Sequence, residues 1–525
     1  MSIDYLLKDG FVIDGSADDT LPKKADIAIE GDCIKEIGNF SHARANKTIN
    51  LNGLVVCPGF IDVHAHSEFL LLADGRAQGK ISQGITTEIN GNCGLSAAPL
   101  FGPALEQREH ELDEMDIKER WRTFSEYFRL LEKRKFAPNF ITLAGHGNLR
   151  ASVAGYADKP LSKTDMEKIT GLLGTAMSEG AKGISTGLVY PPGVYSETSE
   201  IIDLAREAAR HNGIYATHMR SEGDNLLESV DEVIEIARES KIHAHISHLK
   251  TSGEKNWKKL RSVFDRIEQA HGEGLSITCD RYPYTASSTD LDIILPSWAF
   301  EGGYKKEIAR LKTQRERLAD DILKDYPKAS CWDNIIISSA GQGRNKWMQG
   351  KSISDISKSL NKTSLTSLFD LLIEENLDVG AIFFLMNEEN LKSILKRPYT
   401  VIGTDSAARS FDGITAKGMP HPRGFGAFPR VLGRYVREQG IILLSEAIYK
   451  MTGLPAKIFR INNRGIIKKG FFADITVFDP EKVNGAADFS NPFQKPEGIY
   501  HVFINGIPVL LDGGITGALP GRILK

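Results

Sequence analysis

The sequence predicts an α/β protein: a (β/α)8 TIM-like barrel, a small β-sandwich domain built from both chain ends, and an insertion between barrel strands seven and eight. Three observations lead there. Short apolar runs alternate with longer amphipathic ones from Pro58 onward, both ends of the chain read as β hairpins, and one spacing between apolar runs is far longer than the rest. The predicted division is 1–57 with 466–525 for the small domain and 58–465 for the barrel, with an insertion or lid at about 286–395.

In chain order, the first β segments are Tyr5 to Leu7, Phe11 to Ile13, Ala25 to Ile29, Ile34 to Ile37 and Leu54 to Val56, punctuated by Asp9-Gly10 and Gly31-Asp32. They are too few to bury much surface alone. Matching runs at Ala473 to Phe478, Tyr500 to Ile504 and Ile507 to Leu511, the last two joined by Asn505-Gly506, predict that the two ends co-fold. Eight barrel strands are predicted: Phe60 to His66, Thr86 to Asn90, Asn139 to Gly145, Gly183 to Leu188, Tyr215 to Arg220, His243 to His248, Ser276 to Asp280 and Thr400 to Asp405. Between them, Ser162-Lys163-Thr164-Asp165 resembles a capping box ahead of Ile169, Leu172, Leu173 and Met177. A helix over Glu200 to Arg210 stops at Gly213, and another carries Leu226, Leu227, Val230, Val233, Ile234 and Ala237. The long interval before the eighth strand predicts an insertion of helical character, able to cover the barrel mouth.

Composition narrows the class. The 525 residues are 41% apolar and 25% charged, which excludes disorder, and the net charge of -3 gives no basic field for nucleic acid or anionic lipid. The expected partner is a small molecule; the oligomeric state is left open. No window approaches 18 apolar residues, and the stretch Met1 to Lys8 lacks a basic segment followed by an apolar core, so the expected location is cytoplasmic and off the membrane. The five cysteines are odd in number and scattered, unlike a disulfide framework.

A barrel keeps its chemistry at the strand C-termini. There the sequence puts His64 and His66 on strand one, Cys93 in Gly91-Asn92-Cys93-Gly94 after strand two, His146 after strand three and Tyr190 after strand four. His218, His248, Asp280 with Tyr282, and Asp405 follow in turn on the later strands. In a strand, His64 and His66 would share a face and could share one ion. Nitrogen and thiolate donors with one open position favour Zn2+ beside a carboxylate base. His243 and His245, alternating with Ile242, Ala244 and Ile246, read as core histidines, and His248 at the strand end as the ligand. His146 is left open among ligand, oxyanion donor and loop anchor. Lys182, in Ala181-Lys182-Gly183, starts its strand and so is expected toward the barrel bottom, away from these strand ends.

These residues also carry a family resemblance. Pro58 to His66, His218, His248 and Gly403-Thr404-Asp405 resemble the metal-dependent amidohydrolase superfamily. Gly91-Asn92-Cys93-Gly94, Ser185 to Pro192, Ala216 to Arg220, Ser247 to Lys250 and His421-Pro422-Arg423 are similar to the N-acyl-D-amino-acid deacylases, the D-aminoacylases. The resemblance implies one tight Zn2+ on Cys93, His218 and His248, and a second, weaker one where His64 and His66 share Cys93. It implies Asp405 as the catalytic proton carrier, Lys250, Tyr282 and Arg423 as holders of the substrate carboxylate, and Tyr190 near the scissile carbonyl. Asp280 and Tyr284 are expected to orient or pack.

The implied reaction is hydrolysis of an N-acyl-D-amino acid to a carboxylate and a free D-amino acid. The run Asp290 to Phe300 is largely apolar, which leans the expectation toward neutral, hydrophobic D-residues. The alternatives are dipeptides with a C-terminal D-residue, cyclic amides as in hydantoinases, and a catalytically dead barrel serving as a binding protein.

Overall fold

The computed structural model describes residues 3–18, 21–40, 43–341 and 343–525. Met1 and Ser2, at the head of the stretch read for a leader, lie outside them.

Eight parallel strands, β1 (Phe60–Asp62), β2 (Ile85–Asn90), β3 (Asn139–Thr142), β4 (Gly183–Gly187), β5 (Ile214–His218), β6 (His243–Ile246), β7 (Ile277–Arg281) and β8 (Thr400–Ile402), follow one another in space in sequence order. Ala144–Gly145 continues β3 and pairs with β4. The ring closes beyond the ends of β1 and β8, where the Asp405 N–H donates to the His64 carbonyl at 2.8 Å and Ala65 bridges Ser406. The first strand is therefore shorter than its apolar run: it ends at Asp62, and His64 and His66 sit in the loop beyond it.

Helices cover the outside. Lys163–Glu179 begins with a capping box in which Ser162 Oγ accepts from the Asp165 N–H at 3.1 Å, and it buries Ile169, Leu173, Ala176 and Met177. Thr198–Arg210 and Leu226–Ser240 bury their apolar stripes in the same cluster as β4 to β6.

A buried charge cluster ties the β1 and β8 loops together. The Lys80 ammonium, fully buried, donates to Asp62 Oδ2 (2.7 Å), Thr404 Oγ1 (3.0 Å) and the Ser406 carbonyl (2.9 Å), and pairs with Glu88 at 2.7 Å. Burial alone would lower its pKa, but Asp62 and Glu88 outweigh it and hold the ammonium charged. Asp62 Oδ1 in turn accepts from the His64 and Thr404 N–H groups at 3.2 and 2.8 Å. Two loops that carry site residues thus share one carboxylate.

The chain ends meet in a nine-stranded sheet. Its central seam is Ile475–Phe478, antiparallel to Val55–Pro58 on one side and to Ile499–Ile504 on the other. Asn505 and Gly506, both at positive φ (50° and 76°), make the tight turn into Ile507–Leu511.

The segment between β7 and β8 is mixed rather than helical. Ser287–Asp290, Ile335–Ala340 and Val379–Phe383 form a three-stranded antiparallel sheet, packed with helices such as Tyr304–Thr313, Ile353–Leu360 and Ser364–Glu374 around their own apolar cluster. The β-branched runs Ile335-Ile336-Ile337 and Val379 to Phe383 favour the sheet, a signal that segment length alone does not carry.

Candidate metal centre and active site

The strand ends converge on Cys93. Its Sγ lies 3.3 Å from His64 Nε2 and 3.5 Å from His248 Nε2, and the three donor atoms fall within 4.8 Å of one another. His66 joins from the same loop as His64: its Nε2 is 3.3 Å from Asp405 Oδ1, while His64 Nε2 is 3.5 Å from that oxygen. His218 stacks edge-on against His248 with ring centroids 4.4 Å apart, and these two form a further group with Glu222. His218 Nδ1 is buried without a hydrogen-bond partner. All five expected ligands therefore gather in one place, around the Cys93 sulfur.

The electrostatics suit a cation. Burial would raise the Cys93 thiol, but the His64 and His248 imidazoles outweigh it and pull the group well below its ordinary value, toward thiolate. Burial likewise lowers His66, yet Asp405 and Cys93 beside it bring it up to about 9. Burial lowers His218, and Glu222 and Cys93 offset only part of that. A thiolate packed among imidazoles, with one ring nitrogen unpartnered, is the donor set that Zn2+ takes.

The backbone is unusual at the same three corners. Cys93, His248 and Asp405 all adopt left-handed conformations, with φ of 53°, 39° and 51°. Each costs about 1 to 2 kcal/mol relative to ordinary backbone, and such strain gathers where a side chain must be aimed. Gly94, next to Cys93, has no room for a Cβ: one would stand 2.7 Å from the Gly187 nitrogen.

Around this centre stand the residues expected to bind substrate. Arg423 Nη1 is 2.8 Å from Asp405 Oδ2, and its guanidinium lies 4.7 Å from the centroid of the Tyr282 ring. Lys250, almost fully buried, contacts Glu222 and lies 2.8 Å from His248 Nδ1. The Tyr282 hydroxyl is buried and unpartnered. Tyr190 packs its ring 5.0 Å from His218 and meets Thr289 Oγ1 at 3.1 Å, so the insertion contributes to the rim.

Glu222 is the residue that sequence reasoning missed. It follows His218 by four positions, past the end of β5, and its carboxylate lies 2.9 Å from His248 Nδ1. Burial would raise it, but Lys250 and the two imidazoles drive it far below the glutamate range. The clue was position alone: an acid one turn beyond a strand-terminal histidine. His146 is engaged elsewhere, 2.8 Å from Glu200, which also pairs with Arg150. Lys182 sits half-buried where β4 begins, away from the strand ends that carry the cluster.

Comparison with known proteins shows what the whole chain is similar to. The model of the amidohydrolase family matches residues 47–287. A D-aminoacylase of Alcaligenes xylosoxydans xylosoxydans is 36% identical, covering 99% of this chain and 97% of its own. The crystal structure of N-acyl-D-glutamate deacylase from Bordetella bronchiseptica, complexed with zinc and a phosphonate mimic of the tetrahedral intermediate, is 30% identical, with a TM-score of 0.85 and full coverage of both chains. A solved D-aminoacylase is 33% identical with a TM-score of 0.83, again over both whole chains, and is described by a binuclear centre with one-metal activation and second-metal attenuation. A relative this similar from end to end leaves no doubt of kinship: the chain belongs to the D-aminoacylase, or N-acyl-D-amino-acid deacylase, family of amidohydrolases.

Proposed function

We propose that this protein hydrolyses the amide bond of N-acyl-D-amino acids in a zinc-dependent reaction, releasing a carboxylate and a free D-amino acid. The observation that carries the reading is the convergence of the Cys93, His64 and His248 donor atoms within 4.8 Å, beside Asp405. Cys93, His218 and His248 would hold the tighter zinc, and His64 and His66 together with Cys93 a weaker second one. When bound, the metal lowers the pKa of water and polarises the amide carbonyl.

The chain supplies the rest. Asp405 removes a proton from the attacking water and delivers it to the leaving nitrogen. Arg423, Lys250 and the free Tyr282 hydroxyl fix the substrate's carboxylate, and Tyr190 addresses the carbonyl from the rim. Both cations begin paired, Arg423 with Asp405 and Lys250 with Glu222, so the substrate carboxylate enters by exchanging partners rather than by meeting bare charge.

The small β domain (1–57 with 466–525) braces the barrel (58–465), and the insertion at about 286–395 forms a lid over the mouth, a reading supported by the contact between Tyr190 and Thr289. The five cysteines are all free, as a reducing cytoplasm would leave them. Neutral, hydrophobic D-residues are the proposed substrates on the apolar composition of Asp290 to Phe300 alone, since Leu291, Ile294, Leu295, Ala299 and Phe300 pack into the insertion's own core.

The deciding experiment is hydrolysis of matched N-acetyl D- and L-amino acids by metal-quantified protein. The reading requires turnover of D-leucine and D-phenylalanine derivatives and none of their L forms. Faster turnover of N-acetyl-D-glutamate would reverse the preference, and turnover of hydantoins alone would replace the reaction, since cyclic amides bring no carboxylate for Arg423 and Lys250.

A further inference from the structure

One buried carboxylate joins two of the metal-site histidines to a file of polar groups inside the barrel. Asp280 Oδ2 lies 3.1 Å from His64 Nδ1, and its Oδ1 accepts from the His248 N–H at 3.0 Å. The same Oδ2 lies 3.1 Å from His245 Nε2. His245 Nδ1 is 2.7 Å from Thr278 Oγ1, which is 2.8 Å from His243 Nε2, and His243 Nδ1 is 2.7 Å from Ser276 Oγ. Parallel pairing sets His245 opposite Thr278 between β6 and β7, so alternation lines up positions 243 and 245 with 276, 278 and 280 on one face.

Donors and acceptors run in one direction along this file. A carboxylate only accepts, so His64 Nδ1–H and His245 Nε2–H both donate to Asp280. His245 Nδ1 must then accept from the Thr278 hydroxyl, whose oxygen accepts from His243 Nε2–H, and His243 Nδ1 accepts from Ser276. With one proton on each ring, every group in the file is used once. Burial pushes His243 down to about 3, which keeps that ring neutral. The outcome at the far end is specific: with its Nδ1 proton engaged by Asp280, His64 has Nε2, 3.3 Å from Cys93 Sγ, as the nitrogen left to bind a metal.

We propose that His245 is a positioning residue for the metal centre: it holds the Asp280 carboxylate where His64 is kept in the metal-binding tautomer and the His248 backbone is anchored. Thr278 and His243 fix the tautomer of His245. The inference rests on reading Cys93, His64 and His248 as metal ligands, and extends the site from the barrel mouth into its interior.

The test is the zinc affinity of metal-free protein, measured by competition with a chromophoric chelator. Glutamine can place an amide N–H near the position of His245 Nε2, whereas methionine fills the space without donating. His245→Met should weaken zinc binding about 10- to 100-fold, and His245→Gln should recover most of that loss, with circular dichroism unchanged in both. Affinity within threefold of wild type for His245→Met, or an equal loss in both variants, overturns the proposal. Should His245→Met fail to fold, Thr278→Val against Thr278→Ser decides it: weakened binding restored by serine supports the file, and equal affinities sink it. Wild-type protein that takes up no tight zinc would instead overturn the metal reading itself.

Discussion

Arg423 and Asp405 form an ion pair of 2.8 Å at the mouth of the barrel, with both side chains nearly buried. The residue proposed to grip the substrate thus also restrains the residue proposed to carry the proton. Arg423→Lys keeps the charge and loses the planar fork. Loss of a charge-assisted hydrogen bond is worth about 1.5 to 3 kcal/mol, so KM should rise roughly 10- to 100-fold. Initial-rate kinetics on an N-acetyl-D-amino acid checks this; an unchanged KM with reduced kcat would assign Arg423 to Asp405 alone.

Cys93 Sγ lies within 3.5 Å of the Nε2 atoms of both His64 and His248. Cys93→Ala should therefore purify with well under one equivalent of zinc, whereas His66→Ala, which removes a ring only partly exposed at the edge, should keep the first equivalent and lose the second. Metal content by mass spectrometry after dialysis reads both. Full zinc retention in Cys93→Ala would contradict the site as drawn.

The insertion carries two buried acids in contact. Burial, reinforced by Asp292, raises Glu307 from an ordinary 4.5 to about 9, and burial with Asp290 raises Asp292 to about 7. A folded-state pKa raised in an acid means that the native state keeps its proton while the unfolded chain loses it. Stability falls as pH rises between about 4.5 and 9. Glu307→Gln, which removes the titration, should flatten that dependence: its melting temperature should match or trail wild type at pH 5 and exceed it at pH 8.5. Parallel melting curves for the two proteins across that range would refute the assignment.

Ile475 is fully buried in the strand that joins the two chain ends, opposite Pro58 on one side and Phe503 on the other. Ile475→Ala should cost about 2 to 5 kcal/mol while leaving KM unchanged in the protein that remains folded. Chemical denaturation and initial-rate kinetics separate the two effects.

What could be read from the sequence followed from local pattern. The His-x-His pair, the strand-terminal His248 and Asp405, and the capping box at Ser162 each announce themselves within a few residues. Glu222 and His245 did not, because their meaning lies between strands. His245 alternates with aliphatic residues like any core histidine, and only the β6–β7 register sets it beside Thr278 and within reach of Asp280. The same holds for β1, where the apolar run through Val63 hid the end of the strand at Asp62. The loop conformation beyond it follows from hydrogen bonds of the His64 N–H to the Asp62 side chain and of the His66 N–H to the Ser406 carbonyl, the second far along the chain from that run.

The meeting of the chain ends also constrains biosynthesis. Cys57 and the Thr476 carbonyl it contacts are 419 positions apart. At about 5 to 20 residues per second on the ribosome, roughly 20 to 80 s pass between the emergence of one and the other. Throughout that interval Val55–Pro58 presents an apolar strand edge with no neighbour on the side that Ile475–Phe478 will fill, the kind of edge that recruits other chains. A nascent chain of this protein is therefore most prone to aggregate after its barrel has largely been made, and holding factors that shield a strand edge would raise its yield more than any aid to the barrel itself.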